Sequence, residues 1–304
     1  MLLAHELTIE KPHEGLRLLL ELSLGFSYLF RGHSKRILEL RDLCYNKTYH
    51  AASGLTLECL DIITTRDKTN NTNQHKVFST ARHANFLTCP MGIFAMALFY
   101  RFQDSASFSL TQREIWFFWK ALVKGQPNKE ISPATRQRLY KVLKEVLKGK
   151  LNEKAHLGRK IGAMLASRTG LDTNSVKTAG NWSRDTPSTF YFGHIADDHL
   201  LMEAKDLDPQ MLYTIPRNDI VPPEDLQRKI FPFIEEAKEK LEEAEAERNV
   251  QESSAHSFLK VLTELRRVFL QDLVCYRRHI LPPILLKEFQ ELLIMRCFLS
   301  LKKS

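Results

Sequence analysis

One short stretch of strand chemistry, set in a chain that otherwise reads as helix, most constrains the fold. Residues 55–65 are β-branched and partly alternating, which predicts a strand with one buried face. Residues 67–74, Asp-Lys-Thr-Asn-Asn-Thr-Asn-Gln, are turn formers, and residues 76–80 supply a return strand. Around this hairpin the apolar spacing predicts helices. They fall at residues 13–45, 91–102, 111–123, 132–147, 156–169, 173–179, 231–248, 258–276 and 284–301. Pro133 suits the first turn of the fourth. The expected fold class is mainly α with a small antiparallel β-hairpin or sheet.

Proline clusters at Ile215-Pro216 and Val221-Pro222-Pro223 suggest a boundary. The expected organisation is one domain over residues 1–214 and a helical extension over 215–304. Residues 231–248 are so charged that the helix should project into solvent or pair with a partner. No apolar run reaches the roughly 18 residues of a membrane helix, and no secretory leader is legible. The five cysteines are scattered without metal-type spacing, so they read as free thiols in a reducing compartment, with no metal and no cofactor expected.

Charge is unevenly placed. The net charge is +8, and residues 120–168 carry 13 Lys/Arg against Glu130, Glu145 and Glu153. Residues 203–247 invert the balance, with 6 Lys/Arg and 13 Asp/Glu. A polyanion partner suits the first segment, and no interaction of that kind is expected from the second.

The basic segment leads into His156-Leu157-Gly158-Arg159, followed by Trp182 and Tyr191 at offsets of 23 and 9 residues. Upstream, Arg31 begins a predicted helical stretch and Asp42 closes it 11 residues on. Lys68 stands in the hairpin turn between the two segments, with Lys76 as the other lysine there. Taken singly, each has a bland reading: a helix-end arginine, a turn lysine, a surface pair, two packed aromatics. The ordered set resembles the active site of tyrosine recombinases.

That resemblance implies a tyrosine recombinase catalytic-domain-like (α+β) fold and a division of labour. Arg31 and Arg159 would hold the non-bridging phosphate oxygens, because guanidinium offers a bidentate fork. Lys68 would protonate the leaving 5′-oxygen, His156 would assist proton transfer, and Trp182 would donate its indole N–H. Tyr191 would be the nucleophile, giving a 3′-phosphotyrosine link. Ser34 departs from the family, which often has an acidic residue there. The separate N-terminal helical domain with which recombinases close around DNA is not expected in this chain.

A narrower likeness lies in Arg82-His83-Ala84-Asn85-Phe86-Leu87-Thr88-Cys89-Pro90-Met91-Gly92, in Lys68-Thr69-Asn70 and in Ile215-Pro216-Arg217. These are similar to a fungal group that contains the Crypton DNA transposons and the DNA-binding domain of a centromere-binding kinetochore subunit. The likeness covers residues 15–235 and implies a nuclear protein that takes double-stranded DNA. Arg31, Lys68, Lys76, Arg82 and His83 are expected at that DNA, with Lys154, Arg159, Lys160 and Arg184. One branch of the group cuts and rejoins strands and the other only binds, so an enzyme and a non-catalytic binding protein both stay open. A helical protein-interaction scaffold is the third reading. The last helices are the expected homo-oligomer element.

Overall fold

In a computed structural model, the structure describes residues 8, 11–66, 75–103, 116–146, 157–180, 182, 197–248 and 251–279. Helix α1 (Pro12–Phe26) carries Leu16, Leu18, Leu19, Leu20 and Leu24 into the core. The helix expected to run on to residue 45 stops there. Leu29 is fully buried at a φ of +52°, and this turn sends the chain into a separate short helix, α2 (Gly32–Ile37). A 3-10 turn (Leu40–Asp42) then leads into a strand that helical periodicity did not suggest, β1 (Leu43–His50).

The expected hairpin is therefore part of a three-stranded antiparallel sheet in the order β1-β2-β3, with β2 at Leu55–Thr64 and β3 at Lys76–Ala81. The register pairs Leu43 with Ile62, and Thr64 with Lys76. Gly54, at a φ of +69°, makes the β1–β2 turn, where its Ser53 and Gly54 amides bond the His50 carbonyl. Both faces of β2 are covered. Leu60 and Ile62 enter the main core, while Leu57 and Cys59 pack with Leu200 and Ala204 of a helix on the other side. The alternation of the strand is thus apolar on both faces, which is why its sequence reads as only partly alternating.

Among the described residues, six helices follow the sheet before the last two. They are α3 (Pro90–Gln103), α4 (Pro133–Val146), α5 (Leu157–Arg168), α6 (Thr173–Ala179), α7 (Asp197–Ala204) and α8 (Glu224–Lys229). Residues 119–121 are not helical, against the expectation for 111–123. They run beside residues 38–40, with Leu40 donating to the Trp119 carbonyl and Ala121 to that of Leu38. The extended chain around Glu39 would otherwise leave those amides unpaired in the interior.

The charged helix, α9 (Ile234–Arg248), does not project free. Ile234 and Leu241 are buried, and Arg266 bonds both Glu235 oxygens and the Ile230 carbonyl. Arg266 belongs to α10 (Ser253–His279), the long helix at the centre of the molecule. Phe258 stacks on Trp116, and Phe269 on Phe99 of α3. Beyond the boundary expected at 214/215, residues 226–270 share one apolar cluster with α1, the sheet and α3. Residues 284–301 lie outside the described residues. No helix among the described residues is long and apolar enough to cross a membrane.

Asp272 ties α10 to the rest. Its Oδ1 lies 3.0 Å from Arg82 Nη2 and 2.5 Å from Arg217 Nε, all three side chains being almost completely buried. Arg217 also donates to the His83 and Ala84 carbonyls, and Arg82 to Gln271. Removing the carboxylate would leave two buried guanidinium groups uncompensated. Asp272→Ala should cost about 3–5 kcal/mol of stability, read as a lower urea midpoint at an unchanged m-value.

Candidate nucleic-acid interface

Helix α5 reaches the end of α1 because two glycines let it. A Cβ on Gly158 would stand 2.9 Å from the Gly25 carbonyl carbon, and one on Gly162 2.5 Å from the Phe26 oxygen. That close crossing sets Arg159 against the turn that follows α1. Its Nη1 donates to the Leu29 carbonyl at 2.7 Å, and its guanidinium lies 4.5 Å from the centre of the Trp182 ring. Arg31 sits two residues past Leu29, as the residue capping α2, half-buried and with no ion pair among the described residues. Arg159, 128 positions further along the chain, is thus seated on the carbonyl two residues before Arg31.

Trp182 is held from below. Its amide bonds the Lys177 carbonyl, its ring lies over Gly180, and it packs against the cluster of Ala166, Val176 and Leu207. The indole Nε1 is buried with no hydrogen-bond partner among the described residues. Helix α6 is started by Asp172, whose carboxylate accepts from the Asn174 and Ser175 amides, so the short segment before Trp182 has a defined beginning.

Beneath Arg31 lies a buried polar group. Glu21 of α1 accepts from Lys35 of α2 at 3.2 Å and from the Tyr140 hydroxyl of α4 at 2.8 Å. Burial pulls the Lys35 ammonium below its usual range, against the pull of Glu21, and pushes the Tyr140 phenol up. Arg136 of α4 spans from Glu21 to the Gly32 carbonyl, where any side chain on residue 32 would strike it. The group locks α1, α2 and α4 together and brings α4 beside Arg31. Helix α4 then presents Arg138, Lys141 and Lys144 to solvent, and α5 presents Lys160. Spacing of three along a helix was the available signal for the α4 cations, which the sequence reading passed over.

At the far end of the same segment, the buried Glu39 carboxylate takes Lys120 at 2.6 Å, Arg41 at 2.7 Å and Arg66. Asp42 accepts from the Glu39 amide and from Arg66. Burial pushes the Asp42 carboxyl up to about 6, against the pull of Arg66.

The other expected site residues divide into three groups. Lys76 opens β3 and is half-buried. Arg82 and His83 were expected at DNA, but both are buried. Arg82 is consumed by Asp272 and Gln271, and His83 lies 3.5 Å from the buried Glu203 carboxylate. A guanidinium already paired inside the core has no face left for a phosphate. Lys68, Lys154, His156, Arg184 and Tyr191 fall outside the described residues.

The described residues form a mainly helical protein with a three-stranded antiparallel sheet, and α4 and α5 carry solvent-facing cations. The chain belongs to the family described as centromere DNA-binding protein complex CBF3 subunit, domain 2, whose model matches residues 4–283. No curated protein matches the chain.

The raised Asp42 carboxyl has a signed consequence. The folded protein holds this proton more tightly than the unfolded chain, so stability from this group is present below about pH 4 and is lost as pH rises towards 6. Asp42→Asn should flatten the fall in unfolding free energy across that window by roughly 2–3 kcal/mol, measured by urea titrations at a series of pH values.

Proposed function

We propose that this chain binds double-stranded DNA without cutting it, as the DNA-holding part of a centromere complex in the nucleus. The observation that carries this reading is Arg159 seated on the Leu29 carbonyl, two residues before the half-buried Arg31, together with solvent-facing cations on α4 and α5. The family description, which names centromere DNA binding, supports it. Guanidinium pairs and surface lysines hold phosphates through charge and carry no sequence readout of their own.

A tyrosine recombinase-type ancestry is part of the same proposal. Arg31 at a helix start, Asp42 closing the segment, a sheet in between, and Arg159 stacked beside Trp182 follow the order of that active site. Binding is favoured over strand cleavage because the family description names binding alone.

Fluorescence anisotropy with a mixed-sequence duplex tests the reading. Affinity should fall steeply and log-linearly with salt. Arg31→Ala should weaken binding roughly three- to tenfold for every sequence and lower the salt slope by about one. Arg31 is the cleaner site to change, since Arg159 also braces Leu29 and Trp182. A nicked duplex run on a denaturing gel should give no protein–DNA adduct; an adduct lost in Tyr191→Phe would replace binding by catalysis. No salt-sensitive retention of duplex would sink the proposal altogether.

A further inference from the structure

The start of α4 is held to α2 by two contacts. Before the helix begins, Glu130 pairs with Arg36 at 3.2 Å. One turn in, Arg136 donates to the Gly32 carbonyl at 3.3 Å, next to Arg31. Between these contacts stands Ser132-Pro133, the one Ser-Pro pair in the chain. The one Thr-Pro pair, Thr186-Pro187, lies outside the described residues.

Ser132 can be reached. It is exposed and precedes the helix, with its Oγ accepting from the Thr135 amide at 3.1 Å. Residues 124–126 and 128–130 before it are exposed and belong to neither helix nor strand. A residue that precedes proline is pushed to extended backbone, the conformation in which a kinase takes its substrate. Pro133 and Ala134 are exposed too, so opening the first turn of α4 uncovers little apolar surface. Pro133 has no amide N–H, which suits a kinase whose pocket after the serine offers no acceptor.

Charge decides what a phosphate there would do. It brings about −1.5 to −2 charges at pH 7. A dianion at the start of a helix is favoured, so the fold is kept. The same charge stands one turn before the residue that touches Gly32, on the helix that presents Arg138, Lys141 and Lys144. A DNA backbone approaching those cations would be repelled. We propose that Ser132 is a phosphorylation site for a proline-directed kinase, and that its phosphate weakens duplex binding. This rests on the DNA-binding reading above. In the transfer, a bond forms from Ser132 Oγ to the γ-phosphorus of a nucleoside triphosphate as the bond to the β-bridging oxygen breaks. The diphosphate leaves and the hydroxyl proton passes to solvent.

The test incubates the full chain with a cyclin-dependent kinase and ATP. Mass spectrometry locates the phosphate, and binding of a fluorescein-labelled duplex is measured before and after. Ser132 should be modified, with affinity about five- to tenfold lower and no fall in melting temperature. Ser132→Ala, treated alike, should keep the affinity of its untreated form. Ser132→Asp, which retains a capping oxygen, should bind about two- to threefold more weakly than the unaltered chain. No phosphate on Ser132, under conditions in which the kinase modifies a Ser-Pro control peptide, overturns the site. A modified chain that binds as tightly as before, or an equal loss in treated Ser132→Ala, overturns the regulation and leaves the parent reading intact. Failure of the unmodified chain to hold duplex removes the parent reading and the regulation with it, while the site itself is still judged by mass.

Discussion

The buried carboxylate of Asp272 is the interaction on which the architecture turns. Arg82 leaves β3, Arg217 lies in the 3-10 turn of residues 216–219, and Gly92 opens α3 so close that a Cβ there would stand 2.2 Å from Asp272 Oδ2. One acidic residue near the end of α10 thus joins segments spread over nearly 200 positions. A lone pair of guanidinium groups in a core would be prohibitive; a shared carboxylate and three carbonyl or amide acceptors make it tolerable. The arrangement places α10 in the same core as the sheet.

The same economy governs the side that carries Arg31. Glu21 is buried among Lys35, Tyr140 and Arg136, which fixes α2 and α4 on α1. Glycines at 25, 158 and 162 bring α5 within backbone contact of α1. Neither device touches a ligand. Their combined effect is to set Arg159 on the Leu29 carbonyl, two residues before Arg31. On α9, Glu236, Glu239, Glu242 and Glu243 face solvent.

The motif of Arg82, Cys89-Pro90 and Ile215-Pro216-Arg217 shows how side chains that read as surface groups can be drawn into the core. Its residues were legible, and they do meet in space, yet they meet inside. Arg82 and His83 look like surface cations in a line of text because nothing near them in sequence marks the partners, Asp272 and Glu203, that neutralise them. Likewise β1 was hidden by the apolar run that precedes it. Leu43 and Tyr45 continue a helical spacing, and only pairing with Ile62 and Leu60 makes the segment a strand.

Local chemistry was enough for the elements whose stability is local. Helix α6 begins at a capping Asp172 and runs over residues 173–179 as its sequence implies, and α3, α4 and α5 lie within a residue or two of where apolar spacing puts them. The second strand and third strand are also written in β-branched residues. What only the tertiary structure decided is where charge goes. Whether an arginine reaches the surface or enters the core depends on which carboxylate the fold carries to it, and that is a contact between distant segments. Arg159 stays half-buried on the Leu29 carbonyl where α5 crosses α1; Arg82 and Arg217 are buried because α10 brings Asp272 between them.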